Sequence, residues 1–446
     1  MHIGLITLEL TGHLNPFTTL GSELARRGHK VSLIAGRPAE KLARARGLNF
    51  IPLGIEGDLD QSVQAKVKRL GELSGTKAMW HGSNIVAAMS EMVERDLPAV
   101  LENEHFDGLI IDQFSVAGYH VAHQNNLPIV IACAAMMVAF DAWEPLPSTN
   151  FPYRTDAYGI ARNKVIRAGL LSVHAMRLWW KKQGLDPLAL ILDQQAGLAR
   201  IAQQPEFLNL PRHQPLSDHL HFTGPWHQPH RDDGMEFPWE RLGSEPIIYA
   251  SMGTLQNGVS SVFKKIIEAL GKLPHQAVLS MGGSHIDMPS KIPDNVIVVK
   301  YAPQLRLLER SRLVVTHAGL NTALECLSRG VPMMCLPVTN DQPGVAKRIE
   351  FLGAGRSLPV GKVTSSRLLS ELQKMLATTQ YEEKAKWAAA QLRHNDGLLD
   401  AAAIVEKAFT TRERITKNSL APIVTIPHPF NASEVSQGAA DVRQSA

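Results

Sequence analysis

The sequence predicts an α/β protein made of two Rossmann-like halves, each a parallel sheet with helices on both faces. Three observations predict it. Short, near-continuous apolar runs alternate with longer amphipathic stretches from His2 to Ala134. The same alternation restarts at Ile247 and runs to Pro337. Between them, Gly224–Pro246 is rich in proline, glycine and charge and has no hydrophobic period, which reads as a connection between halves. The chain has 446 residues, and about 100–200 residues per domain makes two or three domains.

In the first half, residues 2–8, 30–36, 48–54, 108–114 and 128–134 read as strands. Residues 15–28 read as a helix, with Asn15 capping it, Pro16 in its first turn and Gly28 at its end. Residues 62–103 are largely helical in pattern. Residues 138–220 are less regular and hold Trp143, Trp179 and Trp180. In the second half the strands are 247–253, 277–283, 296–301, 313–317 and 333–337, and residues 382–409 read as terminal helices. The expected division is a first domain over 1–228, a linker over 229–246 and a second domain over 247–395. A terminal helix over 396–410 returns to the first domain, and a flexible tail covers 411–446, whose last part is small and polar.

Composition excludes several classes. Hydrophobic residues are 44% and charged residues 20%, as in a soluble globular enzyme. A formal net charge of +4 over this length is too small to argue for nucleic acid, and no nucleic-acid module is present. Cys133, Cys326 and Cys335 sit in apolar contexts and read as small buried hydrophobes in a reducing compartment. The opening "MHIGLITLEL" reads as a core strand and not a signal peptide. No run approaches the ~18 apolar residues of a membrane span, so a cytoplasmic protein is expected.

The chemistry concentrates in "THAGLNTALECLSRGVPMMCLPVTNDQ", Thr316–Gln342. Open parallel sheets bind ligands at the carboxyl ends of their strands, where His317 falls. Gly319, Asn321 and Thr322 then open a helix, whose N-terminus suits a phosphate. Glu325 lies one turn on, on the same face as Asn321, where a carboxylate suits ribose hydroxyls. Asp341 and Gln342, after the next strand, form an acid–amide pair fit for sugar hydroxyls. Upstream, Tyr301 of "YAPQ" offers a ring for a base to stack on.

This succession resembles the donor signature of the family 1 UDP-glycosyltransferases, here unbroken from Tyr301 to Gln342. The resemblance extends over the chain short of its tail, and is nearest in style to bacterial carotenoid glucosyltransferases. It implies a GT-B fold, two parallel-sheet domains facing across a cleft, with the acceptor on the first domain and a UDP-sugar on the second. It further implies that the Ala302 backbone and Gln304 meet uridine, and that Ser251, Thr254, His317, Gly319, Asn321 and Thr322 hold the diphosphate. Glu325 would hold ribose, and Asp341 and Gln342 the sugar, with glucose favoured by Gln342. Tyr301 departs from the tryptophan usual in plant members.

The first half must supply a base. His13 of "TGHLNP" falls in the loop after the first strand, and Asp112 ends the fourth. In doubly wound sheets these two strands often flank the switch point, so His13 and Asp112 should emerge side by side. A neutral imidazole can take a hydroxyl proton while the carboxylate fixes its tautomer. The family's catalytic His–Asp pair resembles this arrangement, which implies single displacement with inversion. No metal-ligand cluster is visible, so none is invoked, and the UDP-sugar is a co-substrate, not a cofactor. The acceptor expected is an apolar, hydroxylated small molecule of carotenoid, terpenoid, polyketide or phenolic type. Two other readings stand beside this one: a UDP-sugar 2-epimerase-like enzyme, and a non-catalytic sugar-nucleotide-binding subunit. Residues 162–184 mix basic residues with an apolar helical face. They read either as a helix packed on the acceptor domain or as a peripheral membrane contact.

Overall fold

The computed structural model describes residues 1–54, 59–71, 73, 75–138, 141–181, 197–227, 234–253, 260–283, 291–394 and 396–419. The first sheet contains β1 (His2–Ile6), β2 (Lys30–Gly36), β3 (Asn49–Leu53), β4 (Gly108–Asp112), β5 (Ile129–Cys133), β6 (Ala199–Ala202) and β7 (Leu220–Phe222). All pairings are parallel, in the order β3-β2-β1-β4-β5-β6-β7. The second contains β8 (Ile247–Ser251), β9 (Ala277–Ser280), β10 (Val296–Val299), β11 (Ser311–Thr316), β12 (Met333–Cys335) and β13 (Gly355–Ser357). It is also parallel, in the order β10-β9-β8-β11-β12-β13. Every residue of β4, β5 and β8 is buried, as helices on both faces require. The two-domain α/β architecture expected of the sequence is therefore present.

The first-domain helices are α1 (Thr11–Arg26), α2 (Glu40–Ala45), α3 (Leu59–Leu70), α4 (Gly75–Asn103), α5 (Val116–Gln124) and α6 (Ala157–Lys181). The second domain contributes α7 (Ser260–Leu270), α8 (Gln304–Leu308), α9 (Leu320–Arg329), α10 (Gln342–Leu352), α11 (Ser365–Leu376) and α12 (Gln380–Leu392). The last α-helix among the described residues, α13 (Gly397–Thr411), is capped by Asp396, which accepts from the Leu398 and Leu399 N–H groups. It lies against α1. Its Ala401, Ile404, Val405 and Phe409 share a core with Leu5 and Phe17 of the first domain.

Several elements differ from the sequence reading. Helix α1 begins at Thr11, so Asn15 lies inside it and caps nothing. The His13 and Leu14 N–H groups both turn back to the Leu10 carbonyl, which starts the helix ahead of Pro16. Residues 138–220, read as less regular outside the helical face of 162–184, contain β6 and the start of β7 besides α6, which falls on that face. The two strands are only four and three residues long, and each is broken by a polar side chain, Arg200 and His221. Strand β13, also three residues, went unread for the same reason. Within the expected linker, Phe237, Trp239 and Leu242 pack against the second core, and the Arg306 guanidinium lies 4.2 Å from the Trp239 ring centroid. The start of the expected tail is also held: Ile415 and Lys417 donate backbone hydrogen bonds to Leu198 and Asp218 of the first domain. Residues 420–446 lie outside the described residues, as do Thr254 and residues 182–184.

The domains meet through the segment after β5 and through α10. Glu144, 4% exposed, pairs with Arg348 of α10 and accepts from Arg212 at 2.6 Å. Burial lowers the Arg348 pKa to about 10. The Gly344 N–H donates to the Pro147 carbonyl at 2.7 Å.

Candidate active site

The switch point of the first sheet falls between β1 and β4, which pair directly, Ile6 beside Ile111. His13 stands in the first turn of the helix after β1, not in a loop, and Asp112 ends β4. Their side chains meet, with His13 Nδ1 and Asp112 Oδ2 2.7 Å apart. The Asp112 side chain is 0% exposed and that of His13 13%. The carboxylate also accepts from the Thr7 hydroxyl at 3.2 Å and the Phe114 N–H at 3.0 Å. An ionised acceptor on Nδ1 fixes the proton there and leaves Nε2 as the free lone pair. Burial opposes the charged imidazole, but the Asp112 charge and hydrogen bond, with Asp341 beyond them, outweigh it. The His13 pKa is raised above its ordinary 6.5.

An apolar wall stands beside this pair. The Phe114 and His13 ring centroids are 6.0 Å apart at a steep angle. Phe114 and Leu10 pack on a small cluster of Leu8, Val63, Leu70, Ile85 and Met89 from the β1 loop, α3 and α4.

The second sheet has its switch point between β8 and β11, where Ser251 pairs with Thr316. Ser251 and His317 therefore emerge together. The imidazole fits between two glycines: a Cβ on Gly253 would stand 2.6 Å from its Cε1, and one on Gly319 2.5 Å from its Nε2. Gly319 is thus required by the ring against it as well as by any ligand. Between them Ala318 is buried with a φ of +64°, a left-handed conformation that favours glycine and is strained for alanine. Burial holds the His317 ring neutral, lowering its pKa to about 4 against the opposing Ser251 backbone. Gly319 is the N-cap of α9 and supplies no side-chain cap, so the helix's first N–H groups are offered to the cleft.

Other expected donor residues gather around this helix. Gln304 accepts from the Tyr249 hydroxyl at 3.2 Å and donates to Glu325, with Thr322 at 3.5 Å. Glu325 is 2% exposed, which sets it in the floor of the site. The Ala302–Pro303 segment leads into α8, and Tyr301 before it is 52% exposed, its hydroxyl against Gly283. Asp341 accepts from the Met136 N–H at 3.1 Å across the cleft. Burial raises its pKa, although the Met136 bond and the nearby His13 oppose the shift.

Two expected contacts are arranged differently. Asn321, expected to donate to a diphosphate, turns its Nδ2 to the Gly12 carbonyl at 3.0 Å. Its Oδ1 accepts from Gln203 at 2.8 Å. Gln342, expected on the sugar, turns its Oε1 back to the Val338 and Thr339 N–H groups at 2.9 and 3.2 Å. Both amides satisfy nearby backbone groups, which a linear motif does not reveal. The sequence reading also missed Gln113, Gln203 and Gln204. Gln113 bridges Met136 O and Val138 N, Gln203 reaches Ala134 O, and Gln204 accepts from Met137 N. The run "AQQ" after an unread strand gave no signal of this.

Comparison with known proteins agrees with this geometry. Residues 199–399 match the family described as UDP-glucuronosyl and UDP-glucosyl transferase. The zeaxanthin glucosyltransferase of Pantoea ananas is 27% identical over 94% of this chain and 98% of its own. The NDP-glycosyltransferase YjiC of Bacillus subtilis (strain 168) is 23% identical over 93% and 98%. Among solved structures, the glycotransferase of kitacinnamycin superposes with a TM-score of 0.69 at 20% identity, covering 91% of this chain and 98% of that one. VinC, solved with dTDP, gives 0.64 at 19% identity over 92% and 100%. Fold and family match define an enzyme of the glycosyltransferase class with a GT-B fold. Within that class the chain resembles the zeaxanthin glucosyltransferases.

Proposed function

We propose that the enzyme transfers a hexose, glucose, from a UDP-sugar to a hydroxyl of an apolar small molecule, with inversion. The observation that carries this is the buried His13–Asp112 pair, set against an apolar wall and facing Asp341 of the donor domain. Nε2 of His13 takes the acceptor proton, and the acceptor oxygen attacks the anomeric carbon. The bond from that carbon to the UDP oxygen breaks on the opposite side, and the electron pair leaves with UDP. Asp112 stabilises the imidazolium that forms. The N–H groups after Gly319, the Thr322 hydroxyl, Ser251, Thr254 and the neutral His317 ring bind the diphosphate. Tyr301 stacks on the base, the Ala302 backbone and Gln304 meet uridine, Glu325 faces ribose, and Asp341 takes the sugar hydroxyls.

UDP-glucose with a panel of hydroxylated terpenoid, carotenoid and phenolic acceptors tests the reading. Mass spectrometry should find a glucoside, and its anomeric coupling should show the β configuration. No glucoside from any acceptor, with UDP-glucose intact, would refute it.

The same reading places the enzyme in the cytoplasm against a membrane surface. Supporting it, Tyr158 and Val165 of α6 are 67% and 72% exposed beside Lys164. Among the described residues no helix is long and apolar enough to cross a membrane. Sedimentation with anionic vesicles at low salt tests the contact, and protein left in the supernatant refutes it.

A further inference from the structure

Pro16 is the sixth residue of α1 and has no N–H. The carbonyl four residues earlier, that of Gly12, therefore cannot receive its α-helical hydrogen bond. Gly12 immediately precedes His13. Across the cleft, Asn321 lies in the first turn of α9 and donates its Nδ2 to that carbonyl at 3.0 Å. Its Oδ1 accepts from Gln203 at 2.8 Å, and Gln203, 1% exposed, also donates to the Ala134 carbonyl. The two amide orientations are fixed by their ends. Each nitrogen faces a backbone carbonyl, so neither amide can be turned over without setting oxygen against oxygen.

We infer that Asn321 is a positioning residue for His13: a strut, anchored by Gln203, that ties the first turn of α1 to the donor-binding helix α9. The carbonyl it grips is one that proline frees. Asn321 meets the helix turn carrying the base on one side and the end of β6 on the other. Closing the cleft and setting the base in register with the donor are then one event. The inference rests on the proposed reaction, and it gives Asn321 a task distinct from holding phosphate. Asparagine suits it because one end must donate and the other accept. Aspartate would set a carboxylate oxygen against the Gly12 carbonyl, and leucine would satisfy neither partner.

The test uses Gln203→Leu, Asn321→Leu and the double variant of the full chain. Hydrogen exchange at the His13 and Leu14 amides reads the strut without substrate, and both single variants should speed it. Turnover should fall by about 10–100-fold in each, the order of loss expected from a small misplacement of a catalytic group. The double variant should fall little further than either single one, because both act on one unit. Gln203→Leu should keep its UDP affinity by calorimetry, and the acid limb of its kcat profile should move down towards pH 6.5 as His13 loosens from Asp112. Unchanged exchange overturns the inference. So do additive losses, an unmoved pH profile, or a UDP affinity lost in Gln203→Leu in step with turnover. If exchange responds but the wild-type protein transfers no sugar to any acceptor, the strut stands and the proposed reaction falls.

Discussion

Replacing Asp112 by asparagine changes two atoms' worth of chemistry at a buried position. The carboxylate has three donors around it: the Thr7 hydroxyl, the Phe114 N–H and His13 Nδ1, the last at 2.7 Å. An asparagine keeps one acceptor oxygen. If that oxygen stays on the Phe114 N–H, the new NH₂ group faces His13 and donates to Nδ1. The imidazole proton is then driven to Nε2, the atom that takes the acceptor's proton in the proposed reaction. If the oxygen faces His13 instead, the NH₂ meets the Phe114 N–H, and two buried donors oppose each other at about 1–3 kcal/mol. The first arrangement is favoured, and it disables the base. The variant also loses the charge that stabilises the imidazolium. A hydrogen bond to a charged group contributes about 1.5–3 kcal/mol, or roughly 10–160-fold in rate. With the wrong tautomer added, kcat should fall by about 10²–10⁴-fold. In the proposed reaction the pair acts on the acceptor and not on the donor, so UDP affinity should hold. UDP release under saturating donor and acceptor, with calorimetry for UDP, measures both. A loss of less than about tenfold, or a loss carried by donor affinity, would refute the reasoning.

Gly319→Ala would set a methyl 2.5 Å from His317 Nε2. Displacing that ring should weaken UDP binding by about 1.5–3 kcal/mol, one hydrogen bond to a charged group, as read by calorimetry. Arg348→Met leaves Glu144 with Arg212 alone at the domain interface. Loss of one partner of a buried pair costs up to about 3–5 kcal/mol, so the denaturant midpoint should fall, and an unchanged midpoint would show that the interface does not depend on the pair. Acid should destabilise the fold through His219, 0% exposed, whose pKa burial lowers from 6.5 to about 4. The unfolded state binds the proton first, so stability falls as pH drops from 6.5 towards 4, by roughly 2 kcal/mol at pH 5 from this group, and His317 acts in the same direction. His219→Gln should flatten part of that slope in thermal melts taken between pH 7 and pH 5.

Long apolar strands were legible because strands buried on both faces are unbroken apolar runs, as "LIID" in β4 and "IVIAC" in β5 show. Their alternation with helices placed His13 and Asp112 together from 99 residues apart, since topology alone decides which strands flank a switch point. Strands β6, β7 and β13 were not legible because each is short and carries an arginine or a histidine (ARIA, LHF and GRS), whereas the equally short β9, β10 and β12 are nearly all apolar. The start of α1 was misread because Pro16 resembles a first-turn proline, whereas helical bonding begins a turn earlier at the Leu10 carbonyl. What was missed at the site includes two amides, Gln203 and Gln204, and the partners of two that were expected, Asn321 and Gln342. All four answer backbone groups whose positions exist only after folding. A motif can show that an amide is present but not which carbonyl it will meet.

The two halves place a histidine on opposite sides of their switch points and give the two rings opposite properties. His13 follows β1 and His317 follows β11, each at the switch point of its own sheet. Both rings are largely withdrawn from water, and that alone lowers a histidine's pKa. For His317 nothing outweighs it, because the ring lies between Gly253 and Gly319 and stays neutral. For His13 the Asp112 carboxylate, held by Thr7 and Phe114, reverses the sign. A ring that meets a diphosphate serves best as a neutral donor, insensitive to pH over the physiological range. A ring that takes a proton must bear the positive charge afterwards, and needs a carboxylate to bear it against. On the proposed roles, one buried carboxylate separates a binding histidine from a basic one, and removing it should reverse the shift: Asp112→Leu should make His13 titrate below 6.5, as His317 does.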